Sequence, residues 1–374
     1  MKGRFALLAL ALSACADPEG GFDASKPVVV DEAPAELLSS YNLFAWSPEA
    51  GFEFNDRVVP YDLNMPLFSD YALKQRAVYL PEGTAATFEP EKALEFPVGT
   101  VLVKNFYFAA DLRAPEANRK LIETRLLIRR DKGWDALPYV WDEDQQDARL
   151  APSGEVRPIS FTDREGLPRV ASYLVPQRNQ CQSCHAIKDD DGKVVMTPIG
   201  PKARNLNRDH DYGGATGKVN QLEHLASLGK LDGLPPVESI VPSYDFSLIE
   251  EHGLEAVPAE KLEAAARDYL DVNCAHCHNP RGVQGITSQL FLDKATQDTF
   301  HLGYCKRPGS AGAGTGGLRY DIVPGDPDAS ILVYRAETEE VGAMMPLLGR
   351  SVTHTSGVAL LRAWVGAMPP VDCN

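Results

Sequence analysis

Two hydrophobic periods divide this chain. From Arg76 to about Val175, apolar and polar positions alternate in short runs: Ala77–Leu80, Thr100–Phe108, Lys120–Arg129, Leu137–Trp141, Val156–Phe161 and Val170–Val175. Turn clusters such as Pro81-Glu82-Gly83 and Asp131-Lys132-Gly133 part them, a pattern that predicts the strands of a sandwich or rolled sheet. Phe106, Phe108, Trp134, Tyr139 and Trp141 are expected to fill its core. Upstream, Val58–Ala72 is broken by Pro60 and Pro66 and predicts packed loop with a short helix. Lys188–Val195, with its Asp-Asp-Asp-Gly turn, predicts a hairpin. Towards the C-terminus the period lengthens to that of a helix. Leu262, Ala265, Tyr269 and Leu270 share a face over Pro258–Val272, and Gly357–Met368 predicts a second amphipathic helix ended by Pro369-Pro370.

The first residues follow neither period. Lys2 and Arg4 precede an apolar run, Phe5–Leu12, too short for a finished membrane span. The run ends in Leu12-Ser13-Ala14-Cys15, which resembles a bacterial lipoprotein box. The resemblance implies cleavage before Cys15 and a membrane anchor through lipid on its thiol; an ordinary signal peptide is the alternative. Ala16, where an aspartate would favour the inner membrane, points to a cell-envelope lipoprotein of the outer membrane facing the periplasm. Residues 16–34, rich in Asp, Gly and Pro, read as a tether.

Two strings carry the chemistry: Cys181-Gln182-Ser183-Cys184-His185 and Cys274-Ala275-His276-Cys277-His278. Positions i, i+3 and i+4 of a helical turn lie side by side. Two thiols so placed can each form a thioether with a haem vinyl group, and the following histidine can reach the iron, which is the logic of C-x-x-C-H. The expectation is two covalently bound haem c groups, held by Cys181 and Cys184 with His185, and by Cys274 and Cys277 with His278. His276 cannot reach the iron of its own turn. The competing readings are a Cys₄ zinc site and a dithiol redox pair. The pairs are roughly ninety residues apart, whereas zinc ribbons space theirs by roughly 15–20.

The sixth ligand of the first iron is open among Met196, His210 and His224, with Met196 favoured. Lys202, Arg204 and Arg208 suit haem propionates, since arginine pairs well with carboxylates; a solvated face is the plainer alternative. The formal charge of −15 excludes nucleic acid as an expected partner and suits basic redox partner proteins, or simple solubility. Of seven cysteines, Cys305 and Cys373 remain after lipid and haem are served. An oxidising compartment favours their pairing, and two free thiols are the alternative.

The helix, C-x-x-C-H, long loops and closing helix of the last third resemble class I cytochrome c. That resemblance implies an all-α domain and a distal methionine just before proline, hence Met345, with Met344 in reserve. More widely, the chain resembles a family of bacterial dihaem c-type cytochromes. The matching strings are Pro66–Ala72, Glu123–Leu127, Trp141–Gln145 with Asp147-Ala148, Asn179–His185 and Pro198–Asn207. The resemblance implies electron carriage and an exported β-helix protein as a partner. The expected fold is α+β and multidomain: signal and lipobox 1–15, tether 16–34, a β-sandwich-like domain with the first haem over 35–240, connector 241–257, and an all-α class I-like cytochrome c domain with the second haem over 258–374. The expected role is relay of single electrons rather than catalysis. A dihaem peroxidase using the first iron, or a binding module, are the alternatives.

Overall fold

The computed structural model describes residues 22–283 and 288–374. The signal segment, the Cys15 lipid site and residues 16–21 of the tether lie outside the described residues. Two short strands, β1 (Phe44–Ser47) and β2 (Gly51–Phe54), form a hairpin at the N-terminal end. Behind it lies an antiparallel sheet of β3 (Val58–Tyr61), β4 (Leu73–Tyr79), β6 (Val101–Ala109), β7 (Arg119–Arg130), β8 (Gly133–Trp141) and β9 (Ala148–Leu150), paired in that order. The remaining strands make two-stranded ribbons. β5 (Ala86–Thr87) pairs with β16 (Leu231–Asp232), β10 (Glu155–Thr162) with β11 (Pro168–Val175), β12 (Ala186–Lys188) with β13 (Val194–Met196), and β14 (Asp209–Asp211) with β15 (Lys218–Asn220).

The alternating runs thus become strands, but not a sandwich. One face of the large sheet packs Val101, Val103, Leu126, Leu137, Tyr139 and Trp141 against the N-terminal hairpin. The opposite face carries Leu102, Phe106 and Phe108 and is covered mainly by loops, short helices and the β10–β11 ribbon. The expected aromatic core therefore divides, with Tyr139 and Trp141 on one side and Phe106 and Phe108 on the other, because side chains alternate along a strand. Val58–Tyr61, expected as loop, is an edge strand, a position that tolerates Pro60.

The α-helices among the described residues are short: α1 (Cys181–His185), α2 (Ala203–Leu206), α3 (Gln221–Ser227), α4 (Ser247–His252), α5 (Leu262–Asn273), α6 (Ile331–Glu337) and α7 (Thr355–Ala367). The all-α class I-like cytochrome c domain expected over 258–374 is corrected. Among the described residues the α-helices of that stretch are α5, α6 and α7, of 12, 7 and 13 residues, and the described chain is β-rich. Loops joined by bridges such as Tyr304↔Ile322 and Tyr320↔Ser330 fill much of the rest. The reason is composition: glycines and prolines between Pro308 and Pro327 deny the backbone a continuous helix.

The two helices that the pattern did predict pack together. α5 buries every side chain from Ala265 to Asn273, and its Ala265, Tyr269 and Leu270 share a core with Leu360, Leu361, Trp364 and Val365 of α7. Met65, from the segment before β4, is buried in the same core. The Cys305 and Cys373 sulfurs stand 2.01 Å apart, as a disulfide. No helix among the described residues is long and apolar enough to cross a membrane.

Candidate functional site

The first motif is α1 itself. It leaves β11 through Pro176 and a 3₁₀ turn, Arg178–Gln180, whose start is closed by a reciprocal side-chain and backbone box between Gln177 and Gln180. The second motif continues directly from α5 as a tight turn, in which the Cys277 and His278 amides donate to the Cys274 carbonyl at 3.1 and 3.0 Å. Both strings therefore have the one-turn geometry that thioether attachment needs.

The fold brings the two turns together. Cys277 Sγ donates to the Ser183 carbonyl at 3.3 Å, across 94 residues of sequence. The Cys184 thiol lies against Cys277 and His276, which together hold it well below the ordinary thiol range, while Cys277 is pushed up. Burial raises the Cys274 thiol to about 12 and raises Cys181 as well. All four motif cysteines are free of disulfides. Among the described residues no group of three or more His, Cys, Asp or Glu side chains is gathered as a metal site.

His185 is oriented for ligation. Its Nδ1 bonds the Thr197 carbonyl at 2.8 Å. That carbonyl accepts only, so Nδ1 carries the proton and Nε2 keeps its lone pair, the arrangement that a metal-bound imidazole uses. Burial also pushes the ring down to about 4, leaving it neutral at pH 7. His278 is likewise pushed down to about 4 by burial, and its Nδ1 is buried with no hydrogen bond of ordinary geometry among the described residues.

Cys181, Cys184 and His185 line a cleft of about 170 Å³ that opens to solvent. Its wall is largely apolar, with Leu67, Phe68, Leu102, Leu127, Leu137, Ile199 and Val272 among the contributors. An apolar cleft beside two thiols and a neutral, oriented imidazole fits a covalently held haem. Two further groups face it that sequence reasoning missed. His276, set aside for its own turn, lines the cleft of the other one. Arg76, Lys104 and Arg125 line it from the sheet. The signal for these was a basic residue at the centre of each of three apolar strands.

The remaining nominated residues are placed elsewhere. Met196, paired with Ala186, lines a separate groove with Trp134, Gln177, Arg178 and Gln182, and is not brought into the His185 cleft. His210 and His224 flank Tyr212, with ring centroids 4.8 and 3.8 Å from it, and neither lines the cleft. Met345 is half-buried on a loop fastened by Arg350, whose Nε donates to the Met345 carbonyl at 2.9 Å; its neighbours Pro346, Leu348 and Gly349 line the cleft. Lys202 and Arg204 both hold Asp271 at 2.7 Å, and Arg208 pairs with Asp245 at 3.5 Å, so the basic cluster expected to meet propionates already has its carboxylates.

Comparison with models of known families, with curated proteins and with solved structures found no match to this chain.

Proposed function

We propose that the protein is an exported electron carrier that relays single electrons between two c-type haems, one at Cys181, Cys184 and His185, the other at Cys274, Cys277 and His278. The observation that carries this reading is the contact of the two turns, Cys277 Sγ against the Ser183 carbonyl at 3.3 Å. A covalently attached haem supplies one-electron chemistry through its iron. The chain's part is to hold both attachment edges adjacent, since tunnelling rates fall steeply with separation. Thr197 fixes the tautomer of His185, and the buried wall keeps that imidazole neutral and shields the site from water. The lipid anchor at Cys15, the outer-membrane location facing the periplasm, and basic redox partners or an exported β-helix protein belong to the same proposal.

One observation favours a second reading, a dihaem enzyme of peroxidase type. Among the described residues no methionine lines the His185 cleft, which leaves room for a small ligand. Pyridine haemochrome analysis with a potentiometric titration followed by resonance Raman separates the readings. The relay requires two haems per chain, both low-spin, and negligible peroxide turnover. A high-spin ferric component that turns over peroxide supports the enzyme, and a haem-free product overturns both. Cys184→Ala and Cys277→Ala are each expected to disturb attachment at one haem and shift the potential of the other.

A further inference from the structure

The chain is acidic overall, yet the sheet face behind the first turn gathers cations. Arg76 of β4, Lys104 of β6 and Arg125 of β7 are direct cross-strand neighbours, Arg76↔Lys104↔Arg125. Their side chains consequently project to one face, where like charges directly opposite are destabilising. Lys74 and Phe106, two residues along, share that face. The Phe106 ring has Arg125 at 4.3 Å, Lys104 at 4.8 Å and Lys74 at 5.8 Å from its centroid.

Carboxylates meet only part of this charge. Arg125 pairs with Glu123, and Arg76 with Asp62 at 3.0 Å. Lys104 has no ion-pair partner among the described residues. Arg76 is 3% exposed, and its Nη2 is buried with no hydrogen-bond partner. Burial, with Arg76, Lys74 and Arg125 close by, lowers the Lys104 pKa well below the ordinary lysine range. An unmet guanidinium nitrogen beside a cation so disfavoured marks a place that an anion would stabilise.

We propose that Arg76, Lys104 and Arg125 form an oxyanion cradle in the cleft, facing Cys181 and His185, whose ligand is a carboxylate or a phosphate-type oxyanion. Guanidinium forks take such groups in bidentate fashion and the ammonium adds a point charge. The ligand has two possible sources. One is the propionates of a haem at the first turn, which rests on the function proposed above. The other is a small free oxyanion, which does not.

The test compares purified holoprotein with Lys104→Met, Arg76→Gln and, as a surface control, Lys120→Gln. Each is melted in chloride, acetate and phosphate at equal ionic strength and titrated spectroelectrochemically, with haem counted on the same samples. With a propionate in the cradle, Lys104→Met and Arg76→Gln lower Tm in every salt. They also lower the potential of one haem only, because a lost positive charge favours the ferric form. With a free oxyanion, acetate or phosphate raises the parent's Tm above chloride, and both variants abolish that rise. If the cradle holds nothing, Lys104→Met relieves an unpaired charge, so Tm rises and neither anion matters; that result overturns the proposal. Where Arg76→Gln does not fold, Arg76→Lys takes its place and is expected to keep part of the effect. A haem-free sample that still responds to acetate ends the relay reading and leaves the cradle standing.

Discussion

Asn205 shows how far one side chain can organise this molecule. It is 1% exposed, accepts from the Met65 amide at 2.7 Å and donates to the Met65 and Gly200 carbonyls at 3.1 and 3.2 Å. It thereby satisfies both backbone groups of Met65, which lies outside any strand. Asn205→Ala strands those buried groups and is expected to cost about 1–3 kcal/mol, read by denaturant unfolding, with Asn205→Asp recovering only the acceptor's share. The motif cysteines and histidines were legible in the sequence because their chemistry is set by spacing within one turn. Arg76, Lys104 and Arg125 were not, since three distant strands must pair in register before they meet. The place of His276 in the other turn's cleft was not legible for the same reason, because its neighbours there lie on a distant stretch of chain.

Among the elements, the segment Pro66–Ala72 joins sheet to helices. The Phe68 amide donates to Asn273 Oδ1 at 2.8 Å, and Tyr71 Oη donates to the Thr353 carbonyl at 3.1 Å. Buried Asp70 takes the Ser351 and Val352 amides, bonds that oppose the upward push of burial on its carboxyl. The α5–α7 crossing depends on Gly357, where a Cβ would stand 2.3 Å from Tyr269 Oη. Gly357→Ala should cost about 1–3 kcal/mol through overpacking, seen as a lower Tm. His354, before α7, stacks on Phe68 at 4.1 Å and bonds Glu250 of α4 at 3.1 Å and Tyr269 of α5 at 3.1 Å. Burial lowers the His354 pKa below 6.5, while His354 and Arg164 lower that of Glu250 against burial. In both cases the unfolded chain takes up protons first on acidification. The contributions are complete above the ordinary values, 6.5 and 4.5, and are lost as pH falls below them. Melts from pH 8 to 4 should show His354→Gln losing less stability than the parent below about pH 6.5; parallel curves would count against the assignment. Both helices were read from their period, but which residue lets them approach was not, because the glycine's role exists only once the faces touch.

Over the whole chain, the Cys305–Cys373 bridge spans 68 residues and ties the C-terminus to the loops between α5 and α6. Cys373→Ser is expected to lose about 2–4 kcal/mol in a non-reducing unfolding titration and to leave haem content unchanged. The alternating runs were enough to specify strands, since alternation is a property of a strand and its two environments alone. They were not enough to specify a sandwich, since nothing in an alternating run says whether the second face meets another sheet or, as here, loops and short helices. The C-terminal pattern likewise specified two helices and overstated the domain around them, because glycine and proline act between the helices where no period is visible. What the linear order contains is local: strand and helix periods, turn chemistry, and two C-x-x-C-H turns. The contact between those turns, the cleft beside His185 and the cations facing it are long-range consequences of strand register and of the packing that sets the end of α5 beside α1. They depend on which buried surfaces exclude water together, a condition that no single stretch of sequence can state.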